Sequence, residues 1–453
     1  MFIIPGIAAL LAFVYIRPQE IFEVLRPITL GHVLALMAVG YLIDLRVGVT
    51  RLRSSPLRAL SLAFFAWSFL ALAVKAPAKI DRQLPLRAGV LVVFIAISEG
   101  IQRLRGLGVV ASATFAISLF LAAAGLHQGL AEPLCVDRRD DLPELTVTDG
   151  RHCETIADCN EGGTPGVEYL CEHPGWFGTH SIDSRVRFRG ILQDPNELAW
   201  AVGLTLPFAF MWYERKRSVP RLLSVLVVVG VTTACVIMTK SRSGQLSLPA
   251  VVIVYFFRRF GVRGIVVAAI LSIPIMVLGG RGGEAAESSS IERLECWSTA
   301  LDMWRENPFM GVGMGQFTEH HYLTAHNSFL LLLAELGPIG LFLWMMVIYL
   351  AIKISLRVQL DFATRPETAV ARGWAQALTG MLSGFVVSAY FLSLPFHEIL
   401  WIELGLVAAL YAAVQSHDPS WRVRIGLRDL LLVAGLEVAL VVAVALYIRV
   451  KNI

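Results

Sequence analysis

Apolar runs as long as a bilayer is thick recur from one end of this chain to the other, and they constrain its fold more than any motif does. A helix needs about 17–25 such residues to cross the hydrocarbon layer. Inside that layer every backbone N–H and C=O must be paired within the spanning structure. The runs lie at 2–16, 28–43, 57–74, 86–98, 107–131, 190–213, 221–238, 245–257, 264–278, 326–352, 374–392, 396–415 and 427–448. Three of them (2–16, 86–98 and 245–257) are short enough to be half-spans or to have displaced ends. Charged residues make up only 16% of the chain and apolar ones 56%, whereas an average soluble domain carries about 25% charged residues. That balance excludes a soluble globular enzyme, a disordered tail and a compact secreted disulfide scaffold. The expectation is an all-α polytopic integral membrane protein with about 12–13 transmembrane helices. Segment 2–16 has neither a basic stretch ahead of it nor a small-residue cleavage site before Arg17, so it is expected to stay as a membrane helix.

Sidedness follows from Lys and Arg in the short loops. Loop 44–56 carries Arg46, Arg51 and Arg53, and loop 214–221 carries Arg215, Lys216, Arg217 and Arg221. Loop 258–263 adds Arg258, Arg259 and Arg263, and loop 416–428 adds Arg422, Arg424 and Arg428. Counting alternate sides puts all four on one face, expected to be cytoplasmic, with the long loops 132–189 and 279–325 outside. The net charge of +4 is too small and too dispersed for nucleic-acid binding. Several cations nevertheless fall on the outer face, where orientation does not call for them: Lys75, Lys79, Arg82, Arg87, Arg185, Arg187, Arg189, Lys240, Arg242, Arg281, Arg293 and Arg305. Singly, each is accounted for by snorkelling to lipid phosphates or by a local acid. As a set facing one compartment they suit an anionic headgroup such as a diphosphate.

Loop 132–189 holds Cys135, Cys153, Cys159 and Cys171. An even number in an extracytoplasmic loop reads as two disulfides, with three pairings open. A zinc site with His152 or His173 is the weaker reading, because there is no CxxC knuckle. Cys235 and Cys296 are expected as buried thiols. The loop ends in Arg185-Val186-Arg187-Phe188-Arg189-Gly190. Asp194-Pro195-Asn196-Glu197 then predicts a helix start, with Asp194 as N-cap, Pro195 in the first turn and Glu197 in a capping-box position. A helix N-terminus favours an anion.

Loop 279–325 opens with Gly279-Gly280-Arg281-Gly282-Gly283. Ser289-Ser290-Ile291-Glu292 predicts the cap of an amphipathic helix running to about Trp304, with Arg293 and Trp297 on it. Asn307-Pro308-Phe309-Met310-Gly311-Val312-Gly313-Met314-Gly315 contains a GxGxG string. No strand precedes it and no βαβ unit surrounds it, so a close-packed turn is expected rather than a dinucleotide site. His326-Asn327-Ser328 starts a long apolar helix. Within it Glu335 is an ionisable group inside a span, and Gly337-Pro338-Ile339-Gly340 predicts a kink with close packing on either side. The dipole at this helix start favours a neutral imidazole at His326, able to serve as a general base, although a lone histidine there is more often a cap or an interface residue.

His326-Asn327, the nine residues Ser328 to Leu336, and Gly337-Pro338-Ile339-Gly340 resemble the signature of the O-antigen ligase and polymerase superfamily. The family's form is His, then Asn, Ser or Gln, nine residues, Gly, two residues, and Gly, Thr or Tyr. Three other stretches match the family's habits in the same order: Arg187 to Gly190 with Asp194-Pro195-Asn196, Ser241-Arg242-Ser243-Gly244, and Arg293 through Gly315. The resemblance covers residues 185–345. It implies a GT-C-like, inverting, metal-independent glycosyltransferase with no cofactor. Such an enzyme takes a glycan from undecaprenyl diphosphate at the periplasmic face of the bacterial inner membrane. A ligase passes the glycan to lipid A-core, a polymerase passes it to another lipid-linked repeat, and relatives glycosylate proteins. Ile16-Arg17-Pro18-Gln19-Glu20 is similar to ligase-like proteins associated with exosortase or exopolysaccharide clusters, which leaves the acceptor open.

The chemistry of the residues agrees with that implication. A diphosphate leaving group needs its charge neutralised by a divalent metal or by fixed cations. Asp137, Asp140 and Asp141 are misplaced for a DxD metal pair, and arginines are present instead. The expected diphosphate ligands are Arg187, Arg189, Arg242 and Arg293. The expected catalytic residue is His326, orienting or deprotonating the acceptor hydroxyl, with Arg281, Lys79, Asn327 and Glu335 in support. The expected organisation is N-terminal helices over 1–131, the cysteine loop 132–189, central helices over 190–278, a catalytic periplasmic loop 279–325, and C-terminal helices over 326–453. Expected partners are the lipid-linked donor, a glycan or lipid A-core acceptor, and membrane lipids. The ligase role is preferred to the polymerase. A lipid-linked oligosaccharide flippase would call for mid-membrane ionisable groups and paired halves. Only Glu335, Glu403 and Glu437 qualify as such groups, and no half-to-half repeat is evident. A segment at 427–448 would leave Arg449 and Lys451 outside, where they fit poorly, so the segment count is expected to hold only to within one.

Overall fold

Continuous apolar sequence leaves the backbone no partner but itself, and each of the runs is helical. The structure, a computed structural model, describes residues 1–51, 55–137, 147–164, 166–278 and 284–451, and 75% of it is helix. Among the described residues, six helices are long and apolar enough to cross a membrane: Pro56–Lys75, Leu104–Leu130, Val219–Met238, Ser328–Asp361, Glu398–His417 and Leu427–Lys451. The shorter Ile3–Tyr15 and Val262–Leu278 are equally apolar. The protein is therefore an all-α polytopic membrane protein.

The chain forms two compact units. The first gathers Met1–Ile7, Val33–Ala111 and Gly282–Ile453. Its centre is the almost wholly buried Glu398–His417 helix, packed along Ile80–Gly100. Bare Gly405 permits that approach, since an added Cβ would lie 2.9 Å from Ile97 Cβ. Phe64, Phe65 and Phe94 surround the Trp401 ring at centroid distances of 5.9, 4.6 and 5.4 Å. Aromatic pairs at such separations contribute beyond their buried area. Ser328–Asp361 packs on Pro56–Lys75 and Ala369–Ala389, and Glu284–Glu306 lies along it. This last helix starts at Glu284 rather than at the expected Ser289-Ser290 cap. Glu284, Ala285, Ala286 and Glu287 are strong helix formers, and they extend the helix past the serines.

The second unit gathers Ala8–His32 and Ser112–Arg281. Hydropathy predicts a single helix over 190–213, and the structure corrects this. A 3-10 turn at Gly190–Leu192 leads to Pro195–Gly203 and then Leu206–Arg215. Pro207 offers no N–H to the carbonyl four residues before it, so the helix breaks at Leu204-Thr205. Arg242–Phe260 packs on Val262–Leu278 and on Pro195–Gly203. The cysteine loop folds as a three-stranded antiparallel sheet with β1 (Leu134–Asp137) between β2 (Val147–His152) and β3 (Tyr169–Glu172). Cys135 is bonded to Cys159 and Cys153 to Cys171. All four sulfurs are thereby committed, and no thiolate among them remains to bind zinc. With Tyr169 they make a small buried core, which substitutes for the apolar residues that so short a stretch lacks. Asp140 and Asp141 lie outside the described residues.

Candidate functional site

In the second unit the sheet delivers the chain to the arginine segment. β3 ends at Glu172, which is 6% exposed. Its carboxylate accepts the N–H of Asp183 at 2.8 Å and of Ser184 at 3.3 Å, and the Ser181 hydroxyl donates to it as well. Asp183 and Ser184 take left-handed φ values of 50° and 57°, which side chains other than glycine adopt only at a cost. Glu172 holds them there, and Ile182 and Arg185 exchange backbone hydrogen bonds across the turn. Arg185 to Arg189 thus leaves in a fixed register. Val186 and Phe188 point inward, buried.

Arg185 donates from Nε to the Thr239 carbonyl at 2.9 Å and from Nη2 to Asn196 Oδ1 at 3.2 Å. Asn196 is itself held by Asp194 Oδ1, which accepts both its N–H and its Nδ2 at 2.8 Å. Ser241 caps the Arg242–Phe260 helix through the Gly244 N–H at 3.2 Å, leaving half-buried Arg242 as the first helical residue. The neighbouring stretches Arg185–Gly190 and Asp194–Asn196 therefore meet Thr239–Gly244, more than forty residues away in sequence. Arg187 donates its backbone N–H to Gln128 Oε1 at 2.8 Å, and its guanidinium donates to His180 O at 3.0 Å and His180 Nε2 at 2.7 Å. Arg189 is 7% exposed and donates to the carbonyls of Phe177 and Glu20. Gly190 has φ 59°, and a Cβ there would fall 2.1 Å from Arg17 Nε. Arg17 in turn bonds Glu20 at 2.5 Å. The N-terminal Arg17–Glu20 segment is thus part of the arginine cluster.

Burial, and then the Arg187 and Arg189 charges, hold the His180 imidazole down at about 4 from an ordinary 6.5. At neutral pH its Nε2 is an acceptor, which is what Arg187 requires. Because the folded value lies below the unfolded one, this contribution to stability is complete above pH 6.5 and is lost as pH falls through about 4. Thermal unfolding followed from pH 7 to 4 is expected to show a loss on the order of 2 kcal/mol that the His180→Gln variant lacks.

Beside this cluster lies an apolar cavity of about 840 Å³. It runs along the helices from Ile237 and Leu248 to Arg217 and Arg259, the last paired with Glu214 at 3.2 Å.

In the first unit the Ser328–Asp361 helix breaks at Gly337 (φ 68°, ψ −173°), with Pro338 next. A broken helix frees carbonyls that must find donors at membrane depth. They do: Val312 N–H donates to Ala334 O and Gly313 N–H to Glu335 O, both at 2.9 Å, and the Trp67 indole donates to Leu336 O at 2.9 Å. The Glu335 carboxylate, 3% exposed, accepts Gly315 N–H at 2.8 Å and Phe317 N–H at 3.0 Å. The GxGxG string is the loop that docks on this break. Gly311 has φ 64°, and a Cβ there would meet Ala334 O at 2.4 Å. Lys75 donates to Asn307 Oδ1 at 3.0 Å at the start of the same loop.

His326, half-buried, has a left-handed φ of 47° immediately before the helix. Asn327 is the cap: its Oδ1 accepts the N–H of Phe329 and of Leu330 at 3.0 and 3.1 Å. That fixes the amide's orientation and leaves Nδ2 buried without a hydrogen-bond partner among the described residues. Ser328 Oγ donates to Leu392 O at 2.6 Å and accepts Leu394 N–H at 3.0 Å, so the helix start is tied to the turn before His397. Arg293 lies on the Glu284–Glu306 helix one turn before Cys296, whose buried thiol is 3.7 Å from His321 Nδ1. Lys79 pairs with Glu319 at 2.8 Å and holds that carboxylate below its usual range.

Lys79, Arg293, His326, Asn327 and Glu335 thus belong to the first unit, and Arg187, Arg189 and Arg242 to the second. Arg281 lies outside the described residues. Sequence reasoning missed His180, Glu172 and Gln128, single polar residues without a motif. It noticed Arg17 and Glu20 only as a resemblance, and two residues separated from their partners by some 170 positions carry no local signal.

Residues 228–345 match the family described as O-antigen ligase. The stretch takes in Ser241–Gly244, Arg293, the glycine loop, His326 and Gly340, and the match supports assignment to the O-antigen ligase and polymerase superfamily. No curated protein matches the chain.

Proposed function

We propose that the protein is an O-antigen ligase-like glycosyltransferase of the bacterial inner membrane. It moves a glycan from a polyprenyl diphosphate to an acceptor hydroxyl, lipid A-core or a related surface acceptor, at the periplasmic face. The observation that carries this reading is that the family match spans both the His326–Gly340 signature and the glycine loop docked on its helix break. In the reaction the acceptor oxygen attacks the anomeric carbon, its bond to the diphosphate oxygen breaks with inversion, and the acceptor proton passes to His326. The departing diphosphate carries the electron pair. In the unit that holds His326, Arg293 is the proposed fixed cation in place of a metal, and Asn327 and Glu335 hold the histidine segment; in the second unit Arg187, Arg189 and Arg242 are the proposed diphosphate ligands. The apolar cavity of the second unit suits the polyprenyl chain, because its lining is largely apolar and reaches Ile237, two residues before Thr239. The loops 132–189 and 279–325 face the same compartment in this reading.

The test is the glycan left on the carrier lipid in a strain lacking the protein. Long polymers stranded on the carrier support the ligase. Single repeats at the outer face replace it with a polymerase, and repeats trapped at the inner face overturn transfer in favour of a flippase. Complementation with Arg242→Lys is expected to restore less than about a tenth of wild-type transfer, because a point charge does not reproduce a guanidinium fork.

A further inference from the structure

Within the first unit, a cavity of about 560 Å³ opens where the helices Leu30–Arg46, Ile80–Gly100 and Glu398–His417 end and Leu104–Leu130 begins. Arg51, Gln102, Arg103, Arg105, Ser416 and His417 line it, and among the described residues no carboxylate does. We propose that this cavity is a phosphate-recognition site, taking an anionic phosphate group from a lipid headgroup or from a soluble ligand. It stands apart from the transferase reading and uses none of the residues that reading assigns.

The grouping of three arginines around one concavity carries the argument. Elsewhere in this unit Arg58 pairs with Glu99, Lys353 with Asp429 at 2.7 Å, Arg357 with Asp361 at 2.9 Å and Arg365 with Asp418 at 3.5 Å. Arg51, Arg103 and Arg105 have no ion-pair partner among the described residues, and all three are exposed. Three guanidinium groups around one concavity repel one another unless an anion is shared among them, and planar forks match phosphate oxygens two at a time.

The walls are built rather than incidental. Gln102 is 4% exposed, and its amide is fully used. Oε1 accepts the Arg51 N–H at 3.0 Å, while Nε2 donates to Arg51 O at 2.6 Å and to Glu99 O at 3.0 Å. Opposite it, the Asp44 carbonyl accepts the N–H of Val49 and of Thr50 at 2.9 and 3.2 Å. The backbone that carries Arg51 is therefore pinned from both sides, which spares the ordering cost of binding. The helix Leu104–Leu130 also starts between Arg103 and Arg105, so the unpaired N–H groups of its first turn add partial positive charge at the same place. A volume of this size accommodates a diphosphate or a glycerophosphate headgroup.

The experiment uses the purified full-length protein with two probes. One is inorganic diphosphate, followed by thermal stabilisation in detergent. The other is phosphatidylglycerol against phosphatidylcholine in nanodiscs, followed by native mass spectrometry of retained lipid. The variants are Arg103→Gln with Arg105→Gln, and Arg103→Lys with Arg105→Lys. The lysine pair keeps the charge that sets membrane orientation and removes only the forks. Arg215→Gln with Arg263→Gln, exposed arginines of other basic loops, is the control.

The expected result is at least tenfold weaker binding of one probe in the glutamine pair, an intermediate loss in the lysine pair and no change in the control. Loss confined to diphosphate identifies a soluble ligand, and loss of phosphatidylglycerol retention identifies a headgroup. Equal weakening in the control, or binding unchanged in both pairs, overturns the site and leaves the arginines as orientation signals. No binding of either probe by the wild type overturns it as well.

Discussion

His326→Ala is expected to insert and accumulate like the wild type while losing about 10²–10⁴-fold in glycan transfer, the range that removal of a general base produces. The structure keeps the fold and the chemistry separable here. Asn327, not His326, caps the Ser328–Asp361 helix, and Ser328 ties its start to Leu392 and Leu394. The helix therefore loses no cap when the imidazole goes. What His326 contributes to the backbone is a left-handed φ of 47°, which costs alanine about 1–2 kcal/mol. A second variant removes that ambiguity. Among residues other than glycine, Asn is one of those that adopt this conformation most readily, so His326→Asn preserves the turn without the base. Transfer assayed with membranes containing equal amounts of each protein should be lost in both. Recovery in His326→Asn alone would make the histidine a conformational residue and end its catalytic assignment.

The helices were legible because membrane burial imposes a simple rule: a long, predominantly apolar run must be helical, and each of the thirteen runs is, 190–213 in two pieces. What hydropathy did not reveal is where a run is interrupted. Pro207 breaks 190–213 through a missing N–H, and Gly337 with Pro338 breaks the helix after His326. The second break was expected because glycines flank the proline, whereas the first has no such flag. The glycine string was recognised as a packed turn, but its dock was not. Glu335 stood out only as a charge in a span, and nothing local says that its oxygens face Gly315 and Phe317. The arginine segment shows the same limit. Its alternation was visible, yet the partners that sort Arg185, Arg187 and Arg189 into different environments lie at Thr239, His180 and Glu20. The cysteine loop gained a purpose only in three dimensions. Its disulfide at Cys171 adjoins Glu172, the residue that sets the turn before Arg185.

Glu335→Gln is expected to lower stability by about 2–4 kcal/mol and transfer by at least tenfold, although it keeps side-chain volume and removes only an oxygen. Both carboxylate oxygens accept backbone N–H groups, from Gly315 and Phe317. An amide offers one oxygen, so its NH₂ must face one of those donors, and a buried N–H is left without an acceptor. The consequence for transfer follows from chain connectivity. Phe317 and Glu335 close a loop that contains His326, so loosening one end lets the histidine segment move. Misplacement of about 1 Å near a reacting group is enough to lower a rate 10²-fold. Gly337→Ala attacks the same dock without touching the carboxylate. The conformation at φ 68° and ψ −173° is one that only glycine adopts readily, and a Cβ would sit 2.3 Å from Phe309 O. The two variants should therefore agree, with a lower unfolding temperature, faster proteolysis within 307–317, and a fall in kcat larger than any change in KM. Loss of transfer in Glu335→Gln with normal transfer and normal protease resistance in Gly337→Ala would break that link. Glu335 would then act on the reaction through its own chemistry, and the docked loop would be a matter of stability alone.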